Sequence, residues 1–150
     1  MFIYKTKKFI LNNGSECKLV LPDKKYAVDI YKVIVEERLR LAKYLPWVMD
    51  MKSVQDEEQF LEYSIEKIHK EEMMMFIILV DENVAGMIDL HNINRSSKRA
   101  EVGYWLSEKF EGYGIMTQAV DIIEKYSFNE LKLHKLQIRV HPENYKSASV

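Results

Sequence analysis

One cysteine, three prolines and five glycines are all that this 150-residue chain has of the residues that staple or break structure. The lone Cys17 excludes an internal disulfide and suits a reducing compartment. No long hydrophobic run is present. The longest, "MMMFIILV" at residues 73–80, is too short to span a bilayer, so no membrane role is expected. The opening "MFIYKTKKFILNNGSE" carries lysines but neither an apolar run after them nor a small-residue cleavage site, so no secretion signal is expected. Neither sign of charge dominates. A net charge of −1 gives no field that would draw nucleic acid. The four histidines, His69, His91, His134 and His141, lack ligand spacing and a cysteine partner, so no metal is expected. What remains is a cytoplasmic single domain over residues 1–150, with 47% hydrophobic residues to build its core.

The three prolines punctuate the chain. "SECKLVLP" reads as a first strand ended by Pro22. Ala27, Ile30, Tyr31, Ile34 and Leu41 follow helical spacing and predict one helix over residues 24–43. "YLPWV" interrupts it, because Pro46 disfavours helix at the residue before it. A second helix is expected from Ser53, with Asp56 in capping-box register and Val54, Leu61, Ile65 and Ile68 on its apolar face. The period then changes. Residues 73–80 read as a buried strand and "DEN" as a turn. Val84, Gly86, Ile88 and Leu90 then alternate with Ala85, Met87, Asp89 and His91, the pattern of a second hairpin arm. After the polar "NINRSSK" comes "RAEVGYWL", with Glu101, Gly103 and Trp105 on one face and Ala100, Val102, Tyr104 and Leu106 on the other. A helix through Met116, Ala119, Val120, Ile123 and Tyr126 leads to the strand "KLQIRV". Strand, helix, strand makes a crossover, so these two strands should lie parallel.

Two of the five glycines, Gly112 and Gly114, stand just before that helix, in "KFEGYGIMTQA". They are either a plain turn or a place where an anion meets unpaired main-chain N–H groups at a helix start. Known nucleotide fingerprints do not fit. Gly114 is followed by Ile115 and Met116 where a P-loop needs Lys and Ser or Thr, and Thr117 takes the place of the third glycine of a dinucleotide loop.

"AEVGYWLSEKFEGYGIMTQA", followed by "NELKLHKLQIRVHPENYKSAS", resembles the GNAT acyltransferases, and within them the RimJ/RimL branch. That branch acetylates N-termini of ribosomal proteins and has members acting on other amines. "RLAKYLPWV" is similar too. The resemblance implies an α/β (α+β) fold: a mixed, mostly antiparallel sheet flanked by helices, with a splayed parallel strand pair. It implies acetyl-CoA as cofactor. Lys109, Phe110, Glu111, Gly112, Tyr113 and Gly114 match the family's diphosphate loop, which runs into Ile115 and Met116. Lys109 stands where the family has Gln or Arg and keeps the charge without the planar fork. Pantetheine would pair with the edge formed by Val102, Gly103, Tyr104, Trp105 and Leu106. Gly103 would sit in a bulge there and offer an N–H to the thioester oxygen.

The same resemblance places Asn144 on the pantetheine arm and Ser147 near the sulfur. By residue type alone both read as helix-cap and turn residues. The acceptor cleft would take in Trp47, Asp89, His91 and Glu101. Freeing an amine of its proton near neutral pH costs about 1 kcal/mol for an α-amine and about 5 kcal/mol for lysine, so a modest base suffices for N-termini. Glu101, on the Gly103 face, is the expected general base, with Asp89 in reserve. Either carboxylate can also be a surface group.

The resulting expectation is direct acetyl transfer to a primary amine, foremost a protein N-terminal α-amine of the ribosomal-protein serine or alanine type. Two alternatives remain: a polyamine or antibiotic acetyltransferase, and a CoA-binding fragment impaired in catalysis. A general phosphate-binding domain is disfavoured by the missing fingerprints. The chain stops within "ENYKSASV", so C-terminal elements are expected to be missing, and an open last edge would favour a homo-oligomer.

Overall fold

The computed structural model describes residues 5–138. Its centre is a six-stranded sheet in which strand order equals chain order. The strands are β1 (Lys7–Ile10), β2 (Glu16–Val20), β3 (Met74–Val80), β4 (Asn83–Asn94), β5 (Arg99–Leu106) and β6 (Lys135–Ile138). Every neighbouring pair is antiparallel except β5 with β6, which is parallel as the crossover predicts. The mixed fold expected from the sequence is therefore the fold observed.

Helices cover both faces of the sheet. One face carries α1 (Ala27–Glu36), α2 (Arg38–Ala42) and α3 (Val54–His69), packed over a core that includes Ile30, Leu61, Met75, Ile77, Met87 and Trp105. The other carries α4 (Ile115–Asn129) over Phe76, Ile78, Ile88, Val102 and Ile123. This double cover explains "MMMFIILV". All seven residues of β3 are buried, Met74, Phe76, Ile78 and Val80 towards α4 and Met75, Ile77 and Leu79 towards α1 and α3. A strand buried on both faces has no polar alternation to show.

One strand goes beyond the expectations and three expectations need correction. The added strand is β1, four residues long with two lysines, an edge strand of weak pattern. The helix over residues 24–43 is three pieces: a 3-10 turn at Lys24–Tyr26, then α1, then α2, with Glu37 (φ −119°, ψ 21°) breaking between the two helices. The alternation along β4 switches faces, with Val84 and Met87 in one core and Ala85, Ile88 and Leu90 in the other. A register shift between Ile78 and Leu79 of β3, opposite this stretch, is the cause. On α3, Leu61 is buried as predicted, but Glu57 and Ser64 are buried with it while Val54, Ile65 and Ile68 are half-exposed. The predicted cap holds: Ser53 Oγ accepts from the Asp56 N–H at 3.1 Å, and Asp56 Oδ2 accepts from the Lys52 N–H at 2.9 Å.

Candidate active site

Alternation along β5 sends Arg99, Glu101, Gly103 and Trp105 to the face shared with α1 and α3, and the β4 register sets Asp89 opposite Gly103 and His91 opposite Glu101. Of the acceptor-cleft residues expected from the sequence, Asp89, His91 and Glu101 are neighbours across the β4–β5 pairing. His91 Nδ1 lies 2.7 Å from Asp89 Oδ1. That same oxygen accepts the Gly103 N–H at 3.3 Å. Glu101 Oε2 accepts from the Asn92 side-chain amide. A Cβ on residue 103 would stand 3.1 Å from Asp89 Oδ1 and 3.2 Å from His91 Cε1, so only glycine leaves the pair undisturbed. No bulge occurs at Gly103, contrary to expectation. The β4–β5 register runs evenly through it and shifts only between His91 and Asn94.

On the far side of β5 the described β6 pairing ends at Val102–Ile138. Val102 is buried in the α4-side core, where Tyr104 and Leu106 also pack, and Trp105 is buried in the opposite core. These residues offer their main chain, not their side chains. Trp105 Nε1 is buried without a hydrogen-bond partner among the described residues.

The loop from β5 to α4 is exposed at Gly112, Tyr113 and Gly114. Gly112 (φ 87°) and Gly114 (φ 76°) take the left-handed conformation that other residues adopt only with strain. A Cβ at either would meet nothing within 4 Å. Gly114 is the N-cap residue of α4, and it makes no side-chain cap bond among the described residues. Ile115 and Met116 are buried and pin the first turn down, which leaves its N–H groups aimed past the glycines. Phe110 packs against the α4-side core. Lys109 Nζ lies 3.3 Å from Glu36, so its charge is shared with a carboxylate.

What sequence reasoning missed is how this loop is held. The break at Glu37 turns its carboxylate towards the end of β5. There it accepts from Ser107 Oγ at 2.5 Å, from the Glu108 N–H at 2.9 Å and from Arg40 at 2.6 Å. Arg40 also donates to the Leu106 carbonyl at 2.8 Å and reaches Glu111 at 3.3 Å. Burial pushes the Glu37 carboxyl up, but the bonds from Glu108, Ser107 and Arg40 outweigh it and hold the group below the usual carboxylate range. Arg40→Met leaves Glu37 half-buried without its cation. It should cost about 2 kcal/mol of stability. Chemical denaturation measures this, and an unchanged midpoint would show that the network does not hold the loop.

Trp47 stacks on Phe60 of α3, ring centroids 6.2 Å apart, and packs against the core on that side of the sheet. Asn144 and Ser147 lie outside the described residues. Among the described residues no group of three or more His, Cys, Asp or Glu side chains is placed to hold a metal ion, and no helix is long and apolar enough to cross a membrane.

The residues present fit a diphosphate-bearing thioester carrier. Among the described residues, a helix start without a side-chain cap stands behind two left-handed glycines, directly after β5. Comparison with known proteins points the same way. Residues 18–150 match the model of the acetyltransferase (GNAT) domain. The ribosomal-protein-serine acetyltransferase of Escherichia coli is 26% identical over 121 residues, 81% of this chain and 68% of that protein. The spermidine N(1)-acetyltransferase of E. coli is 32% identical over 83 residues, 55% of this chain and 45% of that protein. Among solved structures, the microcin C7 self-immunity acetyltransferase MccE, in complex with acetyl-CoA and AMP, is 27% identical with a TM-score of 0.80, covering 89% of this chain and 74% of that one. The matched stretches take in 40% to 68% of the lengths of the first curated relatives, about half on the whole. With the family model spanning most of the chain and the sheet, helix start and glycine loop in place, this chain belongs to the GNAT acetyltransferase family.

Proposed function

We propose that this chain is the catalytic domain of an acetyl-CoA-dependent N-acetyltransferase that acts on a primary amine, foremost a protein N-terminal α-amine. The observation that carries this reading is the start of α4 behind Gly112 and Gly114, without a side-chain cap among the described residues and directly after β5. Main-chain N–H groups from Gly112 to Met116 hold the diphosphate, and helix polarity favours its charge. Lys109 adds a cation shared with Glu36. The main chain of residues 103–106 pairs with the amides of the pantetheine arm, and Asn144 and Ser147 serve its far end. Bound acetyl-CoA supplies the acyl group as a thioester, activated towards amines.

Glu101 takes the proton from the acceptor amine, directly or through one water. Asp89 serves less as a base than as the group that orients His91, since its Oδ1 holds both His91 and the Gly103 N–H. The Gly103 N–H must leave that 3.3 Å bond before it can serve an oxyanion. Cys17 is buried and its thiol is pushed up to about 12 by burial, which suits direct transfer without an acyl-cysteine.

A thiol-release assay with acetyl-CoA and peptides beginning with Ser or Ala tests the reaction. Background turnover by folded protein would count against it. The loop is tested by Gly114→Asn, because asparagine tolerates the left-handed conformation far better than valine, which would also lower stability at φ 76°. The variant should keep its Tm within a few degrees and raise the KM for acetyl-CoA about tenfold, roughly one charge-assisted hydrogen bond. An unchanged KM would make the loop a turn and nothing more.

A further inference from the structure

Beyond Glu101 the open end of the sheet forms a cleft of about 330 Å³, lined by Asn92, Asn94, Arg99, Glu101, Lys135 and Gln137. Arg99 and Lys135 are direct partners in the β5–β6 pairing, and Glu101 pairs with Gln137 two residues on. In-register neighbours share a face, so both cations stand on the face that carries Glu101. Lys98 holds this end together, its carbonyl accepting the N–H groups of His134 at 2.7 Å and Lys135 at 3.2 Å. The charges around the cleft are unevenly committed. Arg95 pairs with Glu71 at 3.1 Å, and Glu101 is engaged by Asn92. Arg99 and Lys135 make no ion pair among the described residues. The cleft thus presents two uncommitted cations and one carboxylate.

We infer that this cleft selects acceptor peptides carrying an acidic side chain at the second or third residue and discriminates against polycationic amines. This deepens the reading of the chain as an N-acetyltransferase and rests on it. The amine must reach the neighbourhood of Glu101 and Gly103. Arg99 stands two residues further along β5, about 7 Å away at the rise of a strand. An extended peptide advances about 3.3–3.6 Å per residue, so the second or third residue of the acceptor comes level with Arg99 and Lys135. A carboxylate there meets two cations. A polyamine places its next ammonium there and meets the same two cations with repulsion. Glu101 is the one carboxylate among the described residues that line this cleft, set against two cations.

The test compares kcat/KM for four acceptors at low salt: Ser-Asp-Glu-, Ser-Ala-Ala- and Ser-Lys-Lys-peptides of equal length, and spermidine. The acidic peptide should lead the neutral one by about tenfold, the sum of two partly exposed charge contacts, and the lead should shrink at about 0.5 M salt. The double variant Arg99→Gln with Lys135→Gln should level the acidic and neutral peptides while leaving the neutral one near its original rate. Acetylation of the neutral peptide without preference for the acidic one overturns this inference and leaves the acetyltransferase reading standing. Turnover of no peptide and no amine removes that reading instead. In that case anisotropy of the same peptides, labelled at their C-termini, still decides the cleft. Equal binding of acidic and basic peptides would overturn it, as would an acidic lead that survives the double variant.

Discussion

Glu57→Met raises Tm at pH 8 by roughly 6–12 °C and by much less at pH 5. Glu57 stands on the buried face of α3 with 1% of its surface exposed, and neither carboxylate oxygen has a hydrogen-bond partner among the described residues. Burial pushes its carboxyl from the usual 4.5 up to about 7. Between these values the folded chain keeps a proton that the unfolded chain has released. Stability is therefore fully present below about 4.5, falls as pH rises through about 7, and is flat beyond. The loss is about 3 kcal/mol at pH 8. Methionine has a similar shape, removes the charge and leaves no polar atom unpaired. Glu57→Gln removes the titration alone and should flatten the pH profile with a smaller gain, because its amide stays buried without partners. Scanning calorimetry of the three forms from pH 5 to 8 measures this. Parallel pH–stability curves for wild type and Glu57→Met would mean that Glu57 is hydrated or paired in solution.

Glu101→Gln should lower kcat about 100-fold while the KM for acetyl-CoA stays within about twofold. The carboxylate accepts from Asn92 and lies opposite His91, two residues along β5 from Gly103, so its loss removes a proton acceptor without touching the diphosphate loop. Glutamine keeps the size and the contact with Asn92. The rival is His91, held at 2.7 Å by Asp89 in the manner of an oriented base. His91→Gln and Asp89→Asn measured beside Glu101→Gln separate the two. If Glu101→Gln keeps its turnover and the other two lose theirs together, the base is the imidazole. If all three fall alike, the cluster acts as one unit.

Much of this site was legible before any coordinates. Glu101, Gly103 and Trp105 alternate with Val102 and Tyr104, which fixes what each side of β5 carries. Gly112 and Gly114 announce their conformation because a chain with five glycines that spends two on one loop has a backbone reason. The buried positions of α4 follow its helical period: Met116, Ala119, Val120 and Ile123 are buried as expected, and Tyr126 is half-buried. Glu57 was not legible. A glutamate among Asp56 and Glu58 reads as part of a solvated helix start, and only the packing of α3 against α1 and β3 turns it inward.

Periods, turns and the order of motifs were written in the sequence, and with them the crossover that makes β5 and β6 parallel and the glycine pair at the start of α4. These are local properties, written within a few residues by side-chain alternation and by the φ each residue tolerates. Tertiary structure alone decided the rest. Glu37 and Arg40 clasp the end of β5 across about seventy positions of chain, and Asp89 meets Gly103 across fourteen. Two cations come to face one cleft because β5 and β6 pair in one register rather than another. Charge and hydrogen-bonding capacity are carried by single residues, but their partners are chosen by register and packing, which no local pattern specifies.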